Sequence, residues 1–317
     1  MIARSMAQAP NGIWRVLRLA GLLACVALAT SRAGLIAHEL VGHGGTAVAL
    51  GAKVTDVKLF WFAGGWIRYQ TATASIAGQL AIAMGGIAVE LACGSVIFAL
   101  ARGDGLGRRI VRGIGAALVV HASWYLATGA WHGYGDGVLL YRELGSARYP
   151  VAIAAGLVTC TAAFLGARTV LGALAATLPR ARVVGTVIAI VLASGLHAGL
   201  AIAELHVRSD ATYGQIMQPE KARLVERDLA RWAEYERLHG RDVSSEERRA
   251  EQERLQREHR TFPFAWLLGI VAALAGLAGA RRSRADGIDH IETRLLVRAA
   301  VAAAVATGIV IAIDLAL

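Results

Sequence analysis

The sequence predicts an all-α polytopic membrane protein with about seven transmembrane helices, a small membrane-associated β-hairpin and a charged helical segment outside the bilayer. Three observations predict it. Seven apolar runs approach the roughly 20 residues needed to cross a hydrocarbon core. Hydrophobic residues make up 56% of the 317-residue chain, and its mean hydropathy is +0.51, whereas soluble domains carry more charge and shorter apolar runs. The net charge of +10 gathers beside the runs.

The runs are Leu17–Leu50 (interrupted by Ser31-Arg32), Ile76–Leu100, Ile114–Trp131, Val151–Leu174, Val183–Glu204, Phe262–Ala280 and Ala299–Leu317. Residues 1–206 therefore form a membrane-embedded core with five spans and a hairpin at 53–73. Residues 207–261 form the extramembrane charged segment, and 262–317 hold a C-terminal pair of spans. The N-terminus has the basic-then-apolar pattern of a signal peptide. Apolar character continues through HELVGH, so an uncleaved first span is expected. Cys25, Cys93 and Cys160 all lie inside apolar runs and form no paired framework.

The charge is a topology signal. Between Val207 and Phe262 there are twelve Lys/Arg and twelve Asp/Glu, so this segment is neutral and the chain shows no nucleic-acid patch. The excess lies on alternate connections: Arg4, Arg15 and Arg18; Arg102, Arg108, Arg109 and Arg112; Arg168, Arg180 and Arg182; Arg281, Arg282, Arg284, Arg294 and Arg298. This is the positive-inside pattern for a cytoplasmic N-terminus. The expected location is a cell membrane of the bacterial inner-membrane type, crossed several times. Leu17–Leu50 would extend about 50 Å as one helix, and if its start lies along the surface the orientation reverses.

After the first span, AKVTDVKLFWFAGGWIRYQTAT has two runs of strand-forming residues flanking Ala63-Gly64-Gly65, the pattern of a β-hairpin. Its strands would carry Trp61 and Trp66 to the membrane surface. Gln79–Gly94 mixes small residues with larger apolar ones, which lets helices approach closely. Glu90 within it should face the bundle interior. Pro219–Arg260 reads as one or two charged helices with Leu224, Leu229, Trp232, Tyr235 and Leu238 at helical spacing. A break is expected near Gly240 and Ser244-Ser245, and the segment is a candidate surface for a protein partner.

His38–Gly45 reads HELVGHGG. Zinc proteases commonly carry H-E-x-x-H on one helical face, and here the histidines are five apart. On a regular α-helix that separation is about 140° around the axis. A π-bulge absorbs one inserted residue and restores the facing geometry, and Gly42, Gly44 and Gly45 make the backbone permissive. A second pairing, Glu39 with His43, is four apart and already on one face; it would remove Glu39 from service as a base. Ionisable groups in an apolar run demand a partner or a metal, and a catalytic zinc takes three protein ligands and leaves one position open. Asp136, between Gly135 and Gly137 in HGYGDGVLLYREL, is the leading third ligand, with His121, His132 and His197 as fallbacks.

These residues resemble the site-2 protease family of intramembrane zinc metalloproteases. Members carry H-E-x-x-H on an early transmembrane helix, then a membrane-associated hairpin, a small-residue helix and a later helix bearing Asp-Gly. This chain offers His38-Glu39 with His43, the Gly64-Gly65 hairpin, the Gly85-Gly86 helix and Asp136-Gly137 in that order. The resemblance covers about residues 30–145. It implies one Zn2+ per chain on His38, His43 and Asp136, with Glu39 as general base and the hairpin at Gly64-Gly65 holding an extended transmembrane substrate. The spacing also looks like the zinc-binding H-E-x-x-x-H of dipeptidyl peptidase III. Two other readings compete: a metal-free scaffold or regulator on the same fold, and an ion transporter whose buried His, Glu and Asp line a route.

Overall fold

A computed structural model describes residues 12–70, 75–178, 182–283 and 291–317. Arg4, Arg180 and Arg284 and the hairpin positions 71–73 lie outside the described residues. Among the described residues, seven helices are long and apolar enough to cross a membrane.

The first span is one continuous helical rod. α1 (Gly12–Ile36) passes into a π-helix (Ala37–Gly44) and then α2 (Gly45–Ala49) without leaving helical backbone angles. Gly51, at φ +76°, ends the rod and turns the chain into the hairpin. β1 (Lys53–Leu59) pairs antiparallel with β2 (Gly65–Gln70), Leu59 opposite Gly65, with a bulge between Val54 and Asp56. The sequence puts both tryptophans on strands facing the membrane surface. Trp61 instead lies in the connecting turn, and Trp66 is buried in the protein.

α3 (Ile76–Leu100) begins at Ser75, whose hydroxyl accepts the Gly78 N–H. α4 (Leu106–His132) ends at Gly133 with φ +70°, the left-handed C-terminal stop that glycine permits. A short loop leads to α5 (Gly137–Glu143), and then come α6 (Arg148–Ala176) and α7 (Arg182–Val207). Outside the apolar runs stand α8 (Ala211–Met217), α9 (Glu220–Leu238) and α10 (Ser245–Glu258). α11 (Phe264–Arg281) and α12 (Thr293–Ala316) are the last two spans.

The spans pack as two leaves. α4, α6 and α11 form one; α1, α7 and α12 form the other, and α3 with the π-helix joins them. The C-terminal spans are thus divided, α11 lying along α6 and α12 along α1. Large apolar side chains such as Leu157 (65% exposed) and Ile202 (68%) face outward, as a lipid solvent favours. Between the leaves a cavity of about 1290 Å³ runs from Leu22 and Leu174 to His38 and Glu39.

α9 and α10 form a hairpin of their own. Gly240 (φ +70°) allows the bend, and Ser244 with Glu247 forms a reciprocal capping box that starts α10. Val225, Leu229 and Leu255 make its small core against Trp232. Tyr235 and Leu238, expected on the apolar face, are exposed. The reason is that α10 carries a single large apolar residue, Leu255, too little to cover the far end of α9.

Candidate metal centre

His38 and His43 sit five residues apart on the π-helix, where bonding runs from i to i+5; the Gly45 N–H accordingly reaches the Leu40 carbonyl. The wider turn brings the two rings to one side, with Nε2 atoms 3.2 Å apart. Asp136 arrives from the loop after α4. Its Oδ2 lies 2.9 Å from His38 Nε2 and its Oδ1 3.3 Å from His43 Nε2. These three residues form a group that can hold a metal ion.

Glycines make this convergence possible. A Cβ on Gly42 would meet the backbone nitrogen of Gly86 at 2.6 Å, and one on Gly85 would meet the Gly42 carbonyl oxygen at 2.5 Å. The π-helix therefore crosses α3 backbone to backbone. A Cβ on Gly86 would fall 2.6 Å from His43 Nε2 and 2.7 Å from His38 Nε2. On the other side a Cβ on Gly137 would meet the Ala130 nitrogen at 2.5 Å, so α5 starts against α4 and brings Asp136 inward.

The remaining ring nitrogens fix the tautomers. His43 Nδ1 lies 2.7 Å from the Ile82 carbonyl oxygen, which can only accept, so Nδ1 carries the hydrogen. His38 Nδ1 faces Glu90 Oε2 at 3.3 Å, and a carboxylate likewise accepts. For neutral rings, both Nε2 lone pairs then point at each other and at a carboxylate, with no proton between them. Such a cluster of acceptors is satisfied either by a proton on one ring, paired with Asp136, or by a bound cation. The Nε2–Nε2 separation of 3.2 Å, with one Asp136 oxygen 2.9 Å from His38 Nε2 and the other 3.3 Å from His43 Nε2, is close to the roughly 3.3 Å edge of a tetrahedron with metal–ligand bonds of about 2.0–2.1 Å, and one ligand atom from each residue lies within 4.8 Å of the others.

Glu39 is not part of this group, so the pairing of Glu39 with His43 as ligands is not the one that forms. Glu39 is 7% exposed, lines the cavity, and its Cγ is 3.3 Å from a Cβ built on Gly65. The hairpin turn thus lies directly against the base candidate. Gly64, its neighbour, is covered by Tyr213, whose hydroxyl is 2.8 Å from a Cβ built there.

The fallback histidines stand apart from the group. His121 on α4 bonds Glu90 Oε1 through Nδ1 at 2.8 Å. His132 ends α4. His197 on α7 lines the cavity, and its buried Nδ1 has no hydrogen-bond partner among the described residues.

Two features have no motif in the sequence. The hairpin turn is clamped by charged side chains from three spans. Glu204 accepts the N–H groups of Trp61, Phe62 and Ala63 at 2.6, 2.6 and 3.1 Å. Arg32 donates to the carbonyls of Phe60 and Phe62, and Asp314 accepts from Trp61, Lys58 and Arg208. Secondly, α8 and the start of α9 strap the Asp136 loop to the hairpin turn. Tyr213 packs on Phe60 and Gly64, Gly135 N–H donates to Ile216 O, Glu220 N–H donates to Gly133 O, and Arg142 pairs with Glu220. Charged residues interrupting apolar runs (Arg32, Glu204, Asp314) are the one signal that could have pointed to the clamp.

No protein-family model, curated protein or solved structure matches the chain.

Proposed function

We propose that the protein is an intramembrane zinc metallopeptidase of the site-2 protease type, cleaving peptide bonds of membrane-embedded protein substrates. One observation carries the reading: His38, His43 and Asp136 converge as acceptors at tetrahedral-edge spacing, with both Nδ1 hydrogens already committed elsewhere. Two imidazoles and a carboxylate with a further position open suit zinc. His38, His43 and Asp136 would hold the zinc, which when bound would supply Lewis-acid polarisation of a carbonyl and activation of water near neutral pH. Glu39, whose carboxylate makes no hydrogen bond among the described residues and which lines the cavity, takes a proton from water and returns it to the leaving amine. The apolar cavity walls between the leaves, formed by residues such as Val26, Ile114, Val170 and Ile190, receive a transmembrane segment. The backbone at Gly65, beside Glu39, holds its unwound part extended.

The test is metal stoichiometry by mass spectrometry on detergent-purified full-length protein. One zinc per chain is expected, lost in His38→Ala, His43→Ala and Asp136→Ala. Glu39→Gln should keep the metal and lose cleavage of membrane-embedded peptides. Absence of zinc after reconstitution overturns the reading in favour of a scaffold, and cleavage by Glu39→Gln removes Glu39 as the base.

A further inference from the structure

Glu90 lies on α3, 3% exposed, in a span where an unpaired carboxylate is costly. It is not unpaired. Its two oxygens go to two different imidazoles, Oε2 to His38 Nδ1 at 3.3 Å and Oε1 to His121 Nδ1 at 2.8 Å. Gly34 on α1 lies beside it, a Cβ there falling in ordinary contact with Oε1 at 3.5 Å. The carboxylate therefore bridges the π-helix and α4 from a third helix. His121 in turn is stacked parallel to Tyr125, with an 8° interplanar angle and ring centroids 6.2 Å apart, and its side chain faces the cavity.

We propose that Glu90 is the positioning residue of the metal centre, fixing the ring orientation and tautomer of His38, and that His121 holds Glu90 in place. The inference rests on the metal-binding reading of His38, His43 and Asp136. An imidazole without a partner at Nδ1 can rock about its Cβ–Cγ axis and take the Nε2–H tautomer, which has no lone pair at Nε2 for a metal. A carboxylate accepting from Nδ1 prevents this and makes Nε2 a better donor to a metal. His43 needs no carboxylate, because the Ile82 carbonyl already holds it. The asymmetry predicts which ligand depends on side-chain support: His38.

The experiment measures zinc affinity by chelator competition, and the Co2+ ligand-field spectrum, on full-length protein in detergent. Glu90→Ala should bind zinc about 10–100-fold more weakly and shift the cobalt bands. Glu90→Gln, which keeps the volume and one accepting oxygen, should recover part of the loss. A purely packing role for Glu90 would leave the cobalt bands of folded Glu90→Ala unmoved. Affinity within about threefold of wild type in folded Glu90→Ala, below the loss expected of such supporting groups, overturns the proposal while leaving the metal site intact. Should Glu90→Ala not fold, His121→Ala decides. That residue faces the cavity, so its removal leaves the helix packing in place; weakened zinc binding supports the bridge and unchanged binding refutes it. A folded wild type that takes up no zinc sinks the metal-centre reading and this inference together.

Discussion

Gly86→Ala is the sharpest test of the convergence of ligands at the π-helix. The new methyl would sit 2.6 Å from His43 Nε2 and 2.7 Å from His38 Nε2. Non-bonded heavy atoms settle at about 3.5 Å or more, so both rings must retreat by roughly 0.8–0.9 Å. Metal sites tolerate about 0.2 Å in ligand distance. The alternative is for α3 to move away from the π-helix, but that contact is glycine backbone against glycine backbone at Gly42, Gly85 and Gly86. Separating it is an overpacking event of about 1–3 kcal/mol. Either route misplaces the ligands by several times the tolerance, so zinc affinity should fall at least about 100-fold, a loss of about 2.7 kcal/mol in binding. The assay is chelator competition with metal content by mass spectrometry, and circular dichroism reports helix content. Gly107→Ala is the matched control, because nothing lies within 4 Å of a Cβ at that position. Wild-type zinc affinity in Gly86→Ala would show that the nitrogens do not meet against α3, and the ligand geometry would have to be abandoned.

Glu204→Ala strips three turn N–H groups of their shared acceptor and removes one of the two carboxylates paired with Arg208; thermal unfolding in detergent should register about 3 kcal/mol or more of destabilisation from the unpaired N–H groups, and an unchanged midpoint would refute the clamp. Leu255→Ala removes the apolar contact that α10 makes with α9, so α10 should become the first site of limited proteolysis, and resistance equal to wild type would contradict this packing. The capping box sets a pH window. The backbone N–H and hydroxyl of Ser244, with Arg241, draw the Glu247 carboxyl down to about 2 from its usual 4.5. Because the folded value lies below the unfolded one, the contribution is complete above about pH 4.5 and is lost as pH falls toward 2. Hydrogen exchange of the α10 amides should quicken through that window once corrected for intrinsic rates, and unchanged protection across it would remove the carboxylate from the cap.

Much of the fold was legible because it depends on local chemistry. An apolar run of transmembrane length has few alternatives to a buried helix, and Ile76–Leu100 coincides end to end with α3. The five-residue spacing of HELVGH called for a π-bulge, which is the conformation at Ala37–Gly44. Ala63-Gly64-Gly65 signalled the hairpin, although the turn sits slightly earlier than that tripeptide and Gly65 already belongs to β2, and Gly240 with Ser244 marked the break between α9 and α10. What the sequence could not supply was pairing over distance. Glu204 and Asp314 lie 141 or more residues beyond the turn they hold, and their partners there are mostly backbone N–H groups, which have no side-chain signature. His121 entered as a fallback ligand, yet it meets Glu90 and stays outside the ligand group, because which face of α4 looks at α3 depends on small-residue contacts such as Gly94 against Gly115. Tyr235 and Leu238 were misjudged for the opposite reason: their spacing is amphipathic, but the partner helix is too polar to receive them.

The π-helix changes what an insertion means in this part of the chain. One extra residue in a regular helix turns everything after it by about 100°, which would swing α2 and the hairpin away from their neighbours. Here the phase slip is consumed within eight residues, and the rod continues on its original bearing. Counted along the chain, four-residue and five-residue histidine spacings look like different motifs; viewed down the axis, they are two spellings of one arrangement. Val41, 58% exposed, is the letter that can be dropped. Its excision should let the rod close to ordinary α-helix with His38 and His43 still facing the same way, so that a single-codon change at this point is conservative where almost anywhere else in a packed helix it is ruinous.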